Sequence, residues 1–135
     1  MPLVGNTTSG ALTRTRIADY IAALESVTPV AVTDAARVAT AAELFVSKLF
    51  VQTPTANRTF TTPTGALLGA GLTDEVVGSS FEFTIVNLAA TSYSITLTAG
   101  ASGVTVVGNA VVAAASSGTF IGVFTAADTV SIYRK

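Results

Sequence analysis

The 135-residue chain has no cysteine, no histidine and no tryptophan. Without cysteine there are no disulfides, no thiolate nucleophile and no zinc–thiolate site, so packing must supply the stability. Without histidine the commonest general base and the commonest transition-metal ligand are missing, and a Ser–His–acid arrangement is impossible. Charge is scarce as well: Asp, Glu, Lys and Arg make up 11% of the chain, against about 25% in an average soluble domain. The formal net charge of −1 offers no clustered basic footprint for nucleic acid and no polybasic patch for an anionic membrane. No run of about 18 apolar residues is present, and Ser116, Ser117, Gly118 and Thr119 interrupt the nearest approach. Residues 1–10 lack the basic and apolar regions of a secretory signal.

Apolar residues nevertheless reach 50%, and mean hydropathy is +0.63. With a membrane span disfavoured, the expectation is that much of the surface is covered by other copies or by a partner. The sharpest sign lies between Glu82 and Asp128, where no Lys, Arg, Asp or Glu occurs. The polar positions there are Thr, Ser and Asn, whose desolvation costs far less than that of a charge. Charge depletion is also the compositional mark of an interface core.

The periodicity divides the chain in three. Residues 1–12, with Pro2, Gly5 and Gly10, read as a flexible or docking arm. Residues 13–43 read as a helical segment: Ile17, Tyr20, Ile21, Leu24 and Val27 fall on one helical face, Pro29 closes that stretch, and Thr33-Asp34 starts a second helix over 33–42. Residues 44–135 read as a β-rich domain. A strand is expected over 44–52, a short one over 58–61, and one or two helical turns over 65–72. From Ser79 onward apolar residues alternate with polar ones between turns at 87–91, 100–103, 108–109, 116–118 and 127–128. The predicted fold is mainly β: an antiparallel meander forming a small sandwich or barrel behind a short N-terminal helical segment.

No constellation for catalysis emerges. Lys48 and Lys135, the only lysines, sit in no nucleophile motif. Asp74-Glu75 reads as a solvated turn, and Gly65, Gly69 and Gly71 lack the Lys-Ser/Thr of a phosphate loop. No cofactor and no metal site is expected. Arg58, within a proline-bounded stretch, is expected to pair with Glu75 or Glu82, or with a carboxylate across a subunit interface. Ile17, Tyr20, Ile21, Leu24, Arg58 and Tyr93 are the candidate interface residues.

Residues 52–66, with Pro54, Asn57, Arg58, Phe60 and Pro63, are followed by Phe81-Glu82-Phe83-Thr84-Ile85-Val86-Asn87, by Ile95-Thr96-Leu97-Thr98 and by Gly103-Val104-Thr105-Val106. This order resembles a small β domain of virion surface proteins from tailed bacteriophages and large DNA viruses. The resemblance covers about residues 50–135. It implies a capsid decoration, cement or head-fibre component on the capsid surface, a homotrimer, with the major capsid protein as partner and neither nucleic acid nor membrane. A tail-fibre or baseplate component that binds a receptor or glycan is the alternative. The composition alone yields one expected outcome: light scattering on the purified chain at micromolar concentration reports an assembly larger than one chain. A clean monomer counts against it.

Overall fold

The computed structural model describes residues 27–72 and 75–135. Among the described residues ten strands form two sheets. In chain order they are β1 (Thr28–Val32), β2 (Arg37–Val38), β3 (Lys48–Gln52), β4 (Arg58–Thr61), β5 (Ser80–Asn87), β6 (Ile95–Thr98), β7 (Val104–Val107), β8 (Val111–Val112), β9 (Ser116–Ala126) and β10 (Thr129–Arg134). A π-helical turn, Glu43–Ser47, precedes β3, and a short helix α1, Gly65–Gly71, precedes β5. The six-stranded sheet has the order β1-β3-β5-β9-β10-β7, and the four-stranded sheet has the order β2-β4-β6-β8.

The chain is mainly β, as expected, but only part of it is an antiparallel meander. From β1 to β6 each strand in one sheet is followed by a strand in the other, so the chain winds around the core. Neighbours within a sheet are then parallel: β1 with β3, β3 with β5, β2 with β4, and β4 with β6. Antiparallel pairing is confined to β5 with β9, β9 with β10, and β6 with β8. The β9–β10 pair turns at 127–128, where the sequence places a turn, with Asp128 at φ +54°. Gly108, in the expected turn at 108–109, has a positive φ of +86°, and the turn carries the chain from one sheet to the other.

Three local expectations are corrected. The helix expected over 33–42 is a corner containing β2. Gln52 Nε2 donates to Thr33 O at 2.6 Å and Ala35 O at 2.8 Å, which fixes this corner. Helical geometry begins later, at a capping box: Glu43 N donates to Thr40 Oγ1 at 3.2 Å, and Thr40 N donates to Glu43 Oε2 at 2.9 Å. The strand expected over 44–52 therefore occupies only Lys48–Gln52, and Lys48 at φ +62° ends the π-helical turn. Residues 116–118, expected as a turn, open β9, and Ala115 at φ +52° takes the bend. The sheets also take in residues 28–32 and 37–38, ahead of residue 44. Two other expectations match: β4 is Arg58–Thr61, and α1 is Gly65–Gly71, capped by Thr64, whose Oγ1 accepts from Leu67 N at 3.3 Å.

The core lies between the sheets and is organised by phenylalanine. All seven Phe of the chain join one network of ring contacts. Phe83 stands at its centre, with ring centroids of Phe120 at 5.6 Å, Phe81 at 6.2 Å, and Phe50 and Phe60 at 6.3 Å. Phe60 belongs to the four-stranded sheet and Phe50 to the six-stranded one, and their centroids are 4.7 Å apart. Gly122 on β9 lies opposite Phe81 in register, and a Cβ there runs into the Phe81 ring.

Buried amides close the ends where the chain changes sheet. Gln52 and Asn87 are register partners at the ends of β3 and β5. Asn87 Nδ2 donates to Tyr93 O at 2.9 Å and Val112 O at 3.0 Å, while its Oδ1 accepts from Ala89 N at 3.0 Å. At another corner Thr62 Oγ1 accepts from Gly100 N at 2.9 Å. Carbonyls stranded by the winding thus find donors, as buried polar groups must. Phe83→Ala is expected to cost about 3–5 kcal/mol, and Gly122→Ala roughly 1–3 kcal/mol, both read from urea denaturation midpoints.

Candidate assembly surface

In a strand, alternate residues face opposite sides, so the registers define what each sheet presents outward. On the six-stranded sheet Phe81, Phe83 and Ile85 face the core, and Glu82, Thr84 and Val86 face out. Register pairing carries this face across the strands. One row runs Pro29, Leu49, Thr84, Thr119; a second runs Ala31, Val51, Val86, Ser117; a third runs Glu82, Ile121, Tyr133, Val107. The outward side is therefore aliphatic residues, threonine and serine. Glu82 is the one charge in these rows, and Lys135 Nζ lies 2.9 Å from Glu82 Oε1, while Lys48, at the start of β3, shares a hollow with Glu82. Thr84 and Thr119 share a hydroxyl hydrogen bond at 2.9 Å across β5 and β9.

The four-stranded sheet presents a different outer side. Thr59 lies beside Thr96, Thr61 beside Thr98, and Val38 and Val111 flank them. Val38 is 68% exposed. These positions carry no charge, and threonine dominates them.

Most charges among the described residues sit at corners and ends, where they bond within the chain. Arg58 Nε donates to Asp34 Oδ1 at 2.7 Å, so the intramolecular pairing expected of Arg58 holds with a different carboxylate. Thr55 adds its backbone N–H to Asp34 Oδ1 at 3.1 Å and its hydroxyl to Asp34 Oδ2. The Arg58 hydrogen bond, followed by those from Thr55, holds the Asp34 carboxyl well below the usual aspartate range. Arg37 pairs with Glu43. Glu75 Oε1 accepts from Asp128 N at 3.2 Å and so pins the β9–β10 turn. Arg134 donates to the carbonyls of Val111 and Ser117 and lies over the Phe120 ring, 5.6 Å from its centroid.

Of the candidate interface residues, Ile17, Tyr20, Ile21 and Leu24 lie outside the described residues, as does Asp74. Tyr93 is 42% exposed in the β5–β6 loop, and its carbonyl is held by Asn87. Arg58 and Tyr93 belong to one corner, where Arg58 N donates to Ser94 O at 2.9 Å and Ser94 N to Asn57 Oδ1 at 3.0 Å. Periodicity did not single out Asp34 as the partner of Arg58, because the winding brings together residues far apart in the chain. The outer face of the six-stranded sheet was equally invisible, since it depends on strand order.

Two open hollows mark the surface. One of about 490 Å³ is lined by Val86, Asn87, Leu88, Ala115, Ser116 and neighbouring residues, with no titratable side chain. The other, of about 440 Å³, brings Lys48 and Glu82 to a floor of Phe45 and Phe81. Among the described residues no three Asp or Glu side chains cluster as metal ligands, and no helix is long and apolar enough to cross a membrane. No family model, curated protein or solved structure matches the chain.

The Asp34 pair gives a prediction with a definite sign. A carboxyl held below its usual pKa contributes stability above about pH 4, which is lost as the pH falls further. Asp34→Asn is therefore expected to lower the thermal midpoint at pH 7. Its midpoint also falls less steeply than that of the wild type between about pH 4 and pH 2. Equal slopes in a pH series of melts count against this role.

Proposed function

We propose that the chain is a non-enzymatic structural protein of a virion: a capsid decoration or cement protein that self-associates and binds the outside of the capsid shell. One observation carries the reading. Both sheets turn outward a side of threonine, serine and aliphatic residues, while ion pairs and carbonyl contacts within the chain occupy charges at the rims. Such sides lose little on desolvation and favour burial against protein. The resemblance of residues 50–135 to virion surface domains supplies the virion. In this reading the N-terminal part that carries Ile17, Tyr20, Ile21 and Leu24 anchors the domain to the shell or forms the axis of the oligomer.

A second reading, a tail-fibre or baseplate component, draws on Tyr93 and Tyr133, which are 42% and 40% exposed. Exposed tyrosines suit receptor or glycan contacts. Quantitative mass spectrometry of purified particles separates the two. Decoration predicts copies in numbers comparable to the shell protein, a tail role predicts a few per particle, and absence from particles overturns both.

A further inference from the structure

We infer that the outer side of the six-stranded sheet is the face through which copies of this chain pack against one another. The inference rests on the self-association part of the proposed function and names the surface that performs it.

Three observations single out this face and its occupant. The first is apolar character. Leu49, Val51, Val86, Ile121 and Val123 occupy outward register positions, with Tyr133 beside Ile121. On the outward side of the four-stranded sheet threonine holds four register positions, Thr59, Thr61, Thr96 and Thr98, beside Val38 and Val111, whereas on the six-stranded side Thr84, Thr119 and Thr105 stand among this larger aliphatic set. Burial of aliphatic area drives association, whereas threonine hydroxyls lose water without that return.

The second is charge. The Glu82 carboxylate and the Lys135 ammonium neutralise each other within one chain. A basic or acidic partner finds no unpaired charge to complement. A second copy of the same neutral face meets no like charge that repels it, and like-charge juxtaposition is what suppresses wrong pairings.

The third is size. Six strands at about 4.8 Å spacing span roughly 24 Å, and strands of four to eleven residues run on average about 21 Å along their length. That footprint is on the order of 500 Å² per copy, or about 1,000 Å² for two. This reaches the lower bound of specific interfaces. Two copies meeting face to face, or three turning this side toward a shared axis, bury it alike. The four-stranded side and the corners stay free for the shell.

The test compares full-length variants by sedimentation velocity across a concentration series. Val86→Lys and Ile121→Lys each place a charge in the face, and Thr96→Lys places one on the other sheet. The inference expects the wild type to associate, both face variants to weaken association by at least about tenfold, and Thr96→Lys to match the wild type. Because the chain has no cysteine, Ile121→Cys also supplies a single thiol reporter. Its alkylation is expected to slow at least about tenfold as association proceeds, while Thr96→Cys reacts at a rate independent of concentration. This second readout stands even where a lysine variant fails to fold. If the wild type associates but the face variants do so equally, or Ile121→Cys reacts at a constant rate, the face is wrong and self-association stands. A wild type that stays monomeric throughout overturns both.

Discussion

The Phe83 ring is the contact on which the architecture turns. It is buried on β5, at the middle of the six-stranded sheet, and touches rings from β3, β4, β9 and its own strand. Those neighbours include the one aromatic ring of the four-stranded sheet. Aromatic rings supply large buried area with few rotatable bonds, so a connected set fixes the spacing of two sheets more firmly than aliphatic side chains alone. β9 accommodates this set by alternating Gly118, Phe120, Gly122 and Phe124 on its inward side, each glycine yielding space to a neighbour.

The winding places a second demand on the chain. A parallel neighbour is reached only by leaving the sheet and returning, and each departure exposes carbonyls and amides at a corner. Gln52, Asn87 and Thr62 answer this demand with side-chain hydrogen bonds to corner backbone. Arg134 does the same between β10, β8 and β9. Polar residues that look incidental in the sequence therefore hold the two sheets in register.

The strands themselves were legible wherever apolar and polar residues alternate, as in β5, β6 and β7, because period two is a local property. So was the short helix between Pro63 and Gly71. Strand order was not legible. The alternation of Ile95 and Leu97 reports which side chains face inward, but not whether β6 lies parallel to β4 or antiparallel to a sequence neighbour. The stretch before β3 misled for a local reason: Thr33-Asp34 resembles a helix cap, yet Asp34 is taken by Arg58 and Thr55, and the cap forms at Thr40 and Glu43. The scarcity of charge was legible from composition. Its consequence, a neutral side spanning six strands, required strand order to assemble it.

Winding also makes the first half of the domain modular. Thr28 lies beside Lys48, and Leu49 beside Thr84, so successive turns of chain repeat at intervals of 20 and 35 residues. The longer interval contains α1. Each turn rests chiefly on its neighbours, as in stacked-repeat architectures. A domain built this way can lengthen by the duplication of one turn without disturbing the β9–β10 hairpin at its far side. Chains of unequal length thus remain compatible with one core cross-section.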